Sequence, residues 1–255
     1  MDNSLPFFIL AGFIAQMIDG TLGMAYGVSC STLMLSIGVS PVVASASVHT
    51  AELFTTAVSA FCHLRAGNVD KEFLKRLVIP GVIGGIIGAY ILCNVNGEVI
   101  KPFISLYLLG MGILILAKAA RKHQPEPKRN HIGRLGFLGG FVDAIGGLVA
   151  KGNSPRFVIG SVNVAEFFVA AATSAVFLVS LGSIYLNAVI GLVIGGMIAA
   201  PIAAKACKSV QPKPLMVAVG VLIVCLSVRT IYQTAGSTYV ATKNAAIAGL
   251  SALPH

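Results

Sequence analysis

The chain has 255 residues, of which 56% are hydrophobic and 11% charged, with a mean hydropathy of +0.88. A soluble domain is about a quarter charged, so this composition excludes a soluble globular fold and points to an all-α, polytopic membrane helix bundle. The formal net charge of +9 would suggest nucleic acid on a soluble chain, but the basic residues sit between apolar segments, where the positive-inside rule accounts for them without such a partner.

Apolar runs cover residues 5–18, 24–39, 42–62, 77–95, 102–120, 135–150, 157–181, 185–204 and 215–228, giving seven to nine hydrophobic segments. Crossing the bilayer core takes about 20 apolar residues, so the first two runs are too short singly. The alternating ten-residue segments of a membrane barrel are absent. The N-terminus lacks a basic region and a small-residue cleavage site before its first glycine break, so no cleavable signal is expected.

Between the first two runs lies "QMIDGTLGMAYG", with Asp19, Gly20, Gly23 and Gly27. A break in a membrane helix is tolerated where the backbone is buried in protein or lines a cavity. Transporters place such breaks at the bilayer midplane, where half-helix N-termini present free N–H groups and a positive dipole end to anions. Glycine lets the backbone approach a ligand closely. The plainer reading is a kink packed by small residues.

The run 42–62 carries Ser45, His49, Glu52, Thr56 and Ser59 at spacings of 4, 3, 4 and 3, which puts them on one helical face. A glutamate inside a membrane helix is costly and is by default a candidate functional residue. It can carry a proton, and His49, one turn earlier, is placed to share it. In 77–95, Gly81, Gly84, Gly85 and Gly88 allow close helix approach, which suits internal packing or a homodimer. The segment "RKHQPEPKRNHIGR" at 121–134 is charged and contains proline, as expected of a solvated cytoplasmic linker.

The chain then repeats itself. "GFIAQMIDG" (12–20) is matched by "GFLGGFVDA" (136–144), "SPVVASASVHTAELFTTAVSA" (40–60) by "SPRFVIGSVNVAEFFVAAATS" (154–174), "PGVIGGIIGA" (80–89) by "GLVIGGMIAA" (191–200), and "KPFISLYLLG" (101–110) by "KPLMVAVGVL" (213–222). Four blocks in one order indicate an internal duplication, with a first membrane repeat at 1–120, the linker, a second repeat at 135–235 and a peripheral tail at 236–255. The second break holds Asp143, Gly146 and Gly147, and the second polar stripe holds Asn163 and Glu166. From Asp19 to Pro41 is 22 residues, but from Asp143 to Pro155 only 12, so the second break is shortened by about ten. Counting basic residues, three crossings per half with re-entrant breaks put 15 of the 18 on one side, against 12 for four crossings, which favours inverted halves.

These segments resemble the TauE/SafE sulfite-exporter family. The resemblance rests on "GFIAQMIDGTLGMAYG", "SASVHTAELFTT", "HLRAGNVD" and "IPGVIGGIIGAY" and on their duplicated order, over roughly residues 5–235. It implies a multi-pass protein of the bacterial inner membrane that moves small sulfur-containing or organic anions, such as sulfite, sulfoacetate and other sulfonates, driven by protons or membrane potential. It also implies a substrate-binding region at Asp19 to Gly27 with His49 and Glu52, and at Asp143 to Gly147 with Asn163 and Glu166. Ser45 joins that region through its place on the stripe. A passive anion channel or a structural membrane subunit are alternatives, and an intramembrane aspartyl-type hydrolase using Asp19 and Asp143 is a weaker one. No phosphate-binding Gly-rich motif appears, and no Cys, His and carboxylate grouping has metal spacing, so neither a cofactor nor a metal is expected. The five cysteines are scattered through apolar runs as small buried hydrophobes.

Overall fold

The computed structural model describes residues 5–23, 25–120, 155–181, 184–207 and 212–251. All regular structure among them is helical. The helices are α1 (Leu5–Leu22), α2 (Tyr26–Ser36), α3 (Pro41–Arg65), α4 (Lys71–Asn94), α5 (Gly97–Ala120), α6 (Pro155–Ser180), α7 (Leu186–Ala206) and α8 (Pro212–Ser251). Six are long and apolar enough to cross a membrane: α1 and α4 to α8. At 25 residues α3 also has the length, but its polar stripe lowers its hydropathy, and α2, at 11 residues, spans about half the hydrocarbon core. The backbone of α8 stays helical through Gly236 to Ser251, so the segment read as a peripheral tail extends the last helix.

Local chemistry sets several helix starts. Asp70 caps α4, its Oδ1 accepting the N–H groups of Glu72 at 2.9 Å and Phe73 at 3.1 Å, which satisfies two of the donors left open at any helix start. Pro41 opens α3 in its first turn, where a missing N–H costs nothing.

The principal helix pairs are α1 with α7, α5 with α8, α3 with α6 and α7, and α4 with α6. Their directions follow from which residues meet. The rings of His49 and Phe177 stack at 6.0 Å, while Ser59 donates to Asn163 at 2.6 Å, so α3 and α6 run antiparallel. Gly112 faces Ile223 and Val224, and Gly220 faces Leu116, so α5 and α8 are antiparallel too. By contrast Gly12 meets Leu192 and Gly20 meets Ala203, which makes α1 and α7 parallel.

Close approach at α1–α7 depends on glycine. A Cβ on Gly12 would lie 2.5 Å from the Leu192 carbonyl oxygen, and one on Gly195 would run into the Ile9 carbonyl. Such contacts replace the hydrophobic drive that lipid cannot supply.

Two hydroxyls hold the starts of other helices. Ser47 on α3 accepts the N–H of Tyr185, just before α7, at 3.0 Å, and Ser161 on α6 accepts that of Asp70, just before α4, at 2.7 Å. Ser161 also donates to the Phe157 carbonyl at 2.7 Å. Each alanine variant therefore loses a buried bond worth about 1 kcal/mol. Thermal unfolding in detergent should fall for Ser47→Ala and Ser161→Ala alike, and an unchanged midpoint in both would show these bonds to be dispensable.

The core has two main apolar clusters. Phe8, Ala15, Tyr26, Met34, Val48 and Leu192 belong to one, and Ile18, Leu22, Met111, Ile115, Val162 and Ile223 to the other. α1 contributes to both, and its polar residues Gln16 and Asp19, fully buried, lie along it between Ala15 and Leu22.

Candidate functional site

In the interruption between α1 and α2 the described residues Gly23 and Ala25 are both left-handed. Gly23 has φ 67° and its N–H bonds back to the Asp19 carbonyl at 2.5 Å, the single-bond ending of a helix that needs glycine. Ala25 has φ 86°, and no other non-glycine among the described residues is positive. Holding an alanine there costs about 1–2 kcal/mol, the kind of local strain that collects at functional sites. Ala25 is the N-cap of α2 and offers no side-chain acceptor, so the first N–H groups of α2 are left without the usual cap.

Carboxyl groups converge on that start. Asp19 lies against the Tyr26 N–H and the Glu166 carboxyl, without a hydrogen bond of ordinary geometry to either. Glu52 on α3 points Oε1 to within 3.7 Å of where a Cβ on Gly27 would be, and its Oε2 is 2.9 Å from His49 Nδ1. Glu166 on α6 is part-buried as a residue with Oε2 enclosed. Two ionised carboxylates are both acceptors, so the Asp19–Glu166 contact becomes a hydrogen bond only when one carries a proton. The clustered acids have His49 as their nearby basic partner, its side chain 29% exposed.

Three further buried side chains have no hydrogen-bond partners: Gln16 on α1, beside Gly20 and Gly196, and the Tyr26 and Ser29 hydroxyls carried by the first turn of α2. The Tyr26 hydroxyl lies beside the Thr55 side chain. Tyr26 falls inside the Asp19 to Gly27 stretch expected from the sequence, whereas Gln16 and Ser29 lie outside it. Gln16 was recoverable, since it lies three residues before Asp19 on the same helical face, whereas Ser29 is brought into the first turn only by where α2 starts.

The other sequence-derived residues divide by position. Gly20 packs on Ala203 of α7 and serves the helix crossing. Asn163 uses its whole amide: Oδ1 accepts from Ser59 at 2.6 Å, and Nδ2 donates to the Ile159 carbonyl at 3.1 Å and the Asp19 carbonyl at 3.4 Å. It ties the end of α1 to α3 and α6. Ser45 is part-buried two turns before Glu52, with no side-chain hydrogen bond among the described residues. Asp143, Gly146 and Gly147 lie outside the described residues. His63, fully buried, faces the Gly20 backbone and meets Asn68 at 3.3 Å. Among the described residues no group of His, Cys, Asp and Glu could hold a metal ion.

The family model for sulfite exporter TauE/SafE matches residues 8–230, nearly the whole membrane part. The chain belongs to the TauE/SafE family. The probable membrane transporter protein YtnM of Bacillus subtilis (strain 168) is 43% identical over 249 residues, covering 90% of this chain and 83% of YtnM. The probable membrane transporter protein ORF9 of a Sinorhizobium species is 25% identical over 182 residues, 70% of this chain and 69% of ORF9. No solved structure matches. As a TauE/SafE protein with six helices apolar enough to span among the described residues, the chain is a multi-pass bacterial membrane protein of a family of membrane transporters.

Proposed function

We propose that the chain carries small anions, sulfite, sulfonates or related organosulfur anions, across the bacterial inner membrane by alternating access, coupled to protons or to the membrane potential. The observation that carries this reading is the uncapped start of α2, which faces Asp19 of α1 and Glu52 of α3 and carries the unpartnered Tyr26 and Ser29 hydroxyls in its first turn. An anion there would receive backbone N–H groups and the positive end of a helix dipole.

The packing supports an inverted arrangement of two halves. If 40–60 matches 154–174, α3 and α6 are equivalent helices, and α5 and α8 likewise. Equivalent helices that pack antiparallel are related by an axis in the membrane plane. The Ser47–Tyr185 and Ser161–Asp70 bonds are a matching pair under the same operation. Glu52 and Glu166 then flank that axis, at the level where alternating access needs its fixed site.

Radiolabelled sulfite uptake into proteoliposomes, with and without an imposed pH gradient, tests the reading. Saturable uptake that responds to the gradient is expected. Ohmic anion currents would make the protein a channel, and no movement of sulfite, sulfoacetate or isethionate would remove this substrate class.

A further inference from the structure

Of the three carboxyl groups at the site among the described residues, Glu52 stands apart in its contacts. Its two oxygens face different partners: Oε1 looks at Gly27 in the first turn of α2, and Oε2 meets His49 at 2.9 Å. A carboxylate near an uncapped helix start is favoured by the dipole and by open N–H donors, as any anion would be. Asp19, wholly buried and without a hydrogen bond of ordinary geometry, faces the same helix start at Tyr26. The Tyr26 and Ser29 hydroxyls on α2 are buried and unpartnered as well. The start of α2 therefore has more acceptors and donors around it than it satisfies.

We propose that Glu52 is a tethered rival of the carried anion. Its carboxylate and the anion compete for the first turn of α2, and a proton delivered to Oε2 through His49 decides the competition for the anion. This rests on the reading of the α2 start as the anion site and adds the sign of the coupling. Two anions cannot share one helix start in a low-dielectric interior without strong mutual repulsion. Protonation converts the Glu52 carboxylate to a neutral acid and removes its charge from beside Gly27 in the first turn of α2, where the anion would bind. On release the same proton leaves, so one proton is bound for each anion bound and both travel in the same direction. His49 is suited to deliver it, being partly exposed on one side and in contact with Oε2 on the other.

The ionisable groups facing Glu52 come from several helices: Asp19 on α1, Tyr26 and Cys30 on α2, His49 on α3 itself and Glu166 on α6. α7 brings no charged residue before Lys205, and α5 approaches α3 where Gly97 meets Pro41, at the far end of that helix. Among the described residues no lysine or arginine forms an ion pair with Asp19, Glu52 or Glu166.

The test is proton uptake on anion addition. Purified full-length protein in weakly buffered detergent receives isethionate, whose sulfonate does not titrate near neutrality, with a pH-indicator dye as readout. Sulfite and sulfoacetate flux is measured in parallel in proteoliposomes. One proton taken up per anion bound is expected, with affinity improving by up to about tenfold for each unit that pH falls. Infrared difference spectra should gain a carboxylic-acid C=O band on anion addition. Glu52→Gln should lose the band and the pH dependence of binding together, while Glu52→Asp keeps both in weakened form. Anion flux or binding without proton uptake in the unmodified protein overturns the coupling and leaves the transport reading standing. Neither flux nor binding of any of the three anions overturns both. Because the uptake measurement uses unmodified protein, poor folding of a variant does not blunt it.

Discussion

Gly195→Val should yield almost no correctly assembled protein. The helical position is compatible with valine, so the effect comes from the neighbour. A Cβ at Gly195 would run into the Ile9 carbonyl and reach within 2.7 Å of the Phe13 nitrogen. These are backbone atoms of α1 and cannot rotate away. Gly191 and Gly12 show the same dependence along the α1–α7 pair, the most extensive helix contact described, with Cβ positions 2.5 Å from Phe8 and from Leu192. Separating the helices enough to fit the valine gives up van der Waals contact along several turns, a loss on the order of 3 kcal/mol. Because α1 also carries Asp19, the site should be lost with the packing. Size-exclusion chromatography in detergent and thermal unfolding check this. Ile198→Val, at a 55% exposed position on the same helix, is the control and should behave as the unmodified protein. A monodisperse Gly195→Val variant with unchanged melting would mean that α1 and α7 do not approach this closely.

Asp19→Asn should move stability and transport in opposite directions. The carboxyl is fully buried, makes no hydrogen bond of ordinary geometry, and faces a second carboxyl at Glu166. An amide is nearly the same size and brings N–H donors, so it can bond Glu166 without requiring a proton. The variant should melt higher, by the equivalent of about 1 kcal/mol or more, since a buried unsatisfied group gains a partner. The same permanent bond removes an acid from the cluster and holds Glu166 as an acceptor. Sulfite uptake in proteoliposomes should fall at least about tenfold, the consequence of losing one interaction of some 1.4 kcal/mol at the rate-determining step. Buried strain and unsatisfied groups at working sites commonly show this trade of stability for activity. A variant that loses stability and keeps its flux would make Asp19 a structural acid.

The two predictions separate what was readable along the chain from what was not. The apolar runs locate helices well, because a backbone in lipid has to satisfy its own hydrogen bonds. The stripe on α3 was legible for a similar reason: a spacing of three places His49 and Glu52 one turn apart on one face, and they meet at 2.9 Å. The glycines around Asp19 marked where the first helix ends. They did not show that Ala25, which carries a Cβ, would also take a left-handed conformation. That follows from α1 and α2 both being held by other helices.

Composition alone makes this chain a membrane helix bundle, and its motifs point to the TauE/SafE family. Those properties depend on composition and local spacing, which one strand of text contains. Helix packing sets which polar residues face one another. Asn163, read as a ligand residue, has its amide engaged by Ser59, Ile159 and Asp19. Gln16 on α1 and the Tyr26 and Ser29 hydroxyls in the first turn of α2 are buried without partners. It also decided the antiparallel run of α3 against α6 and of α5 against α8, where the charge pattern had offered only a preference. Contacts between residues 104 or more positions apart, as between Ser59 and Asn163, depend on how helices cross, and the crossing is set by small residues whose partners lie on another helix.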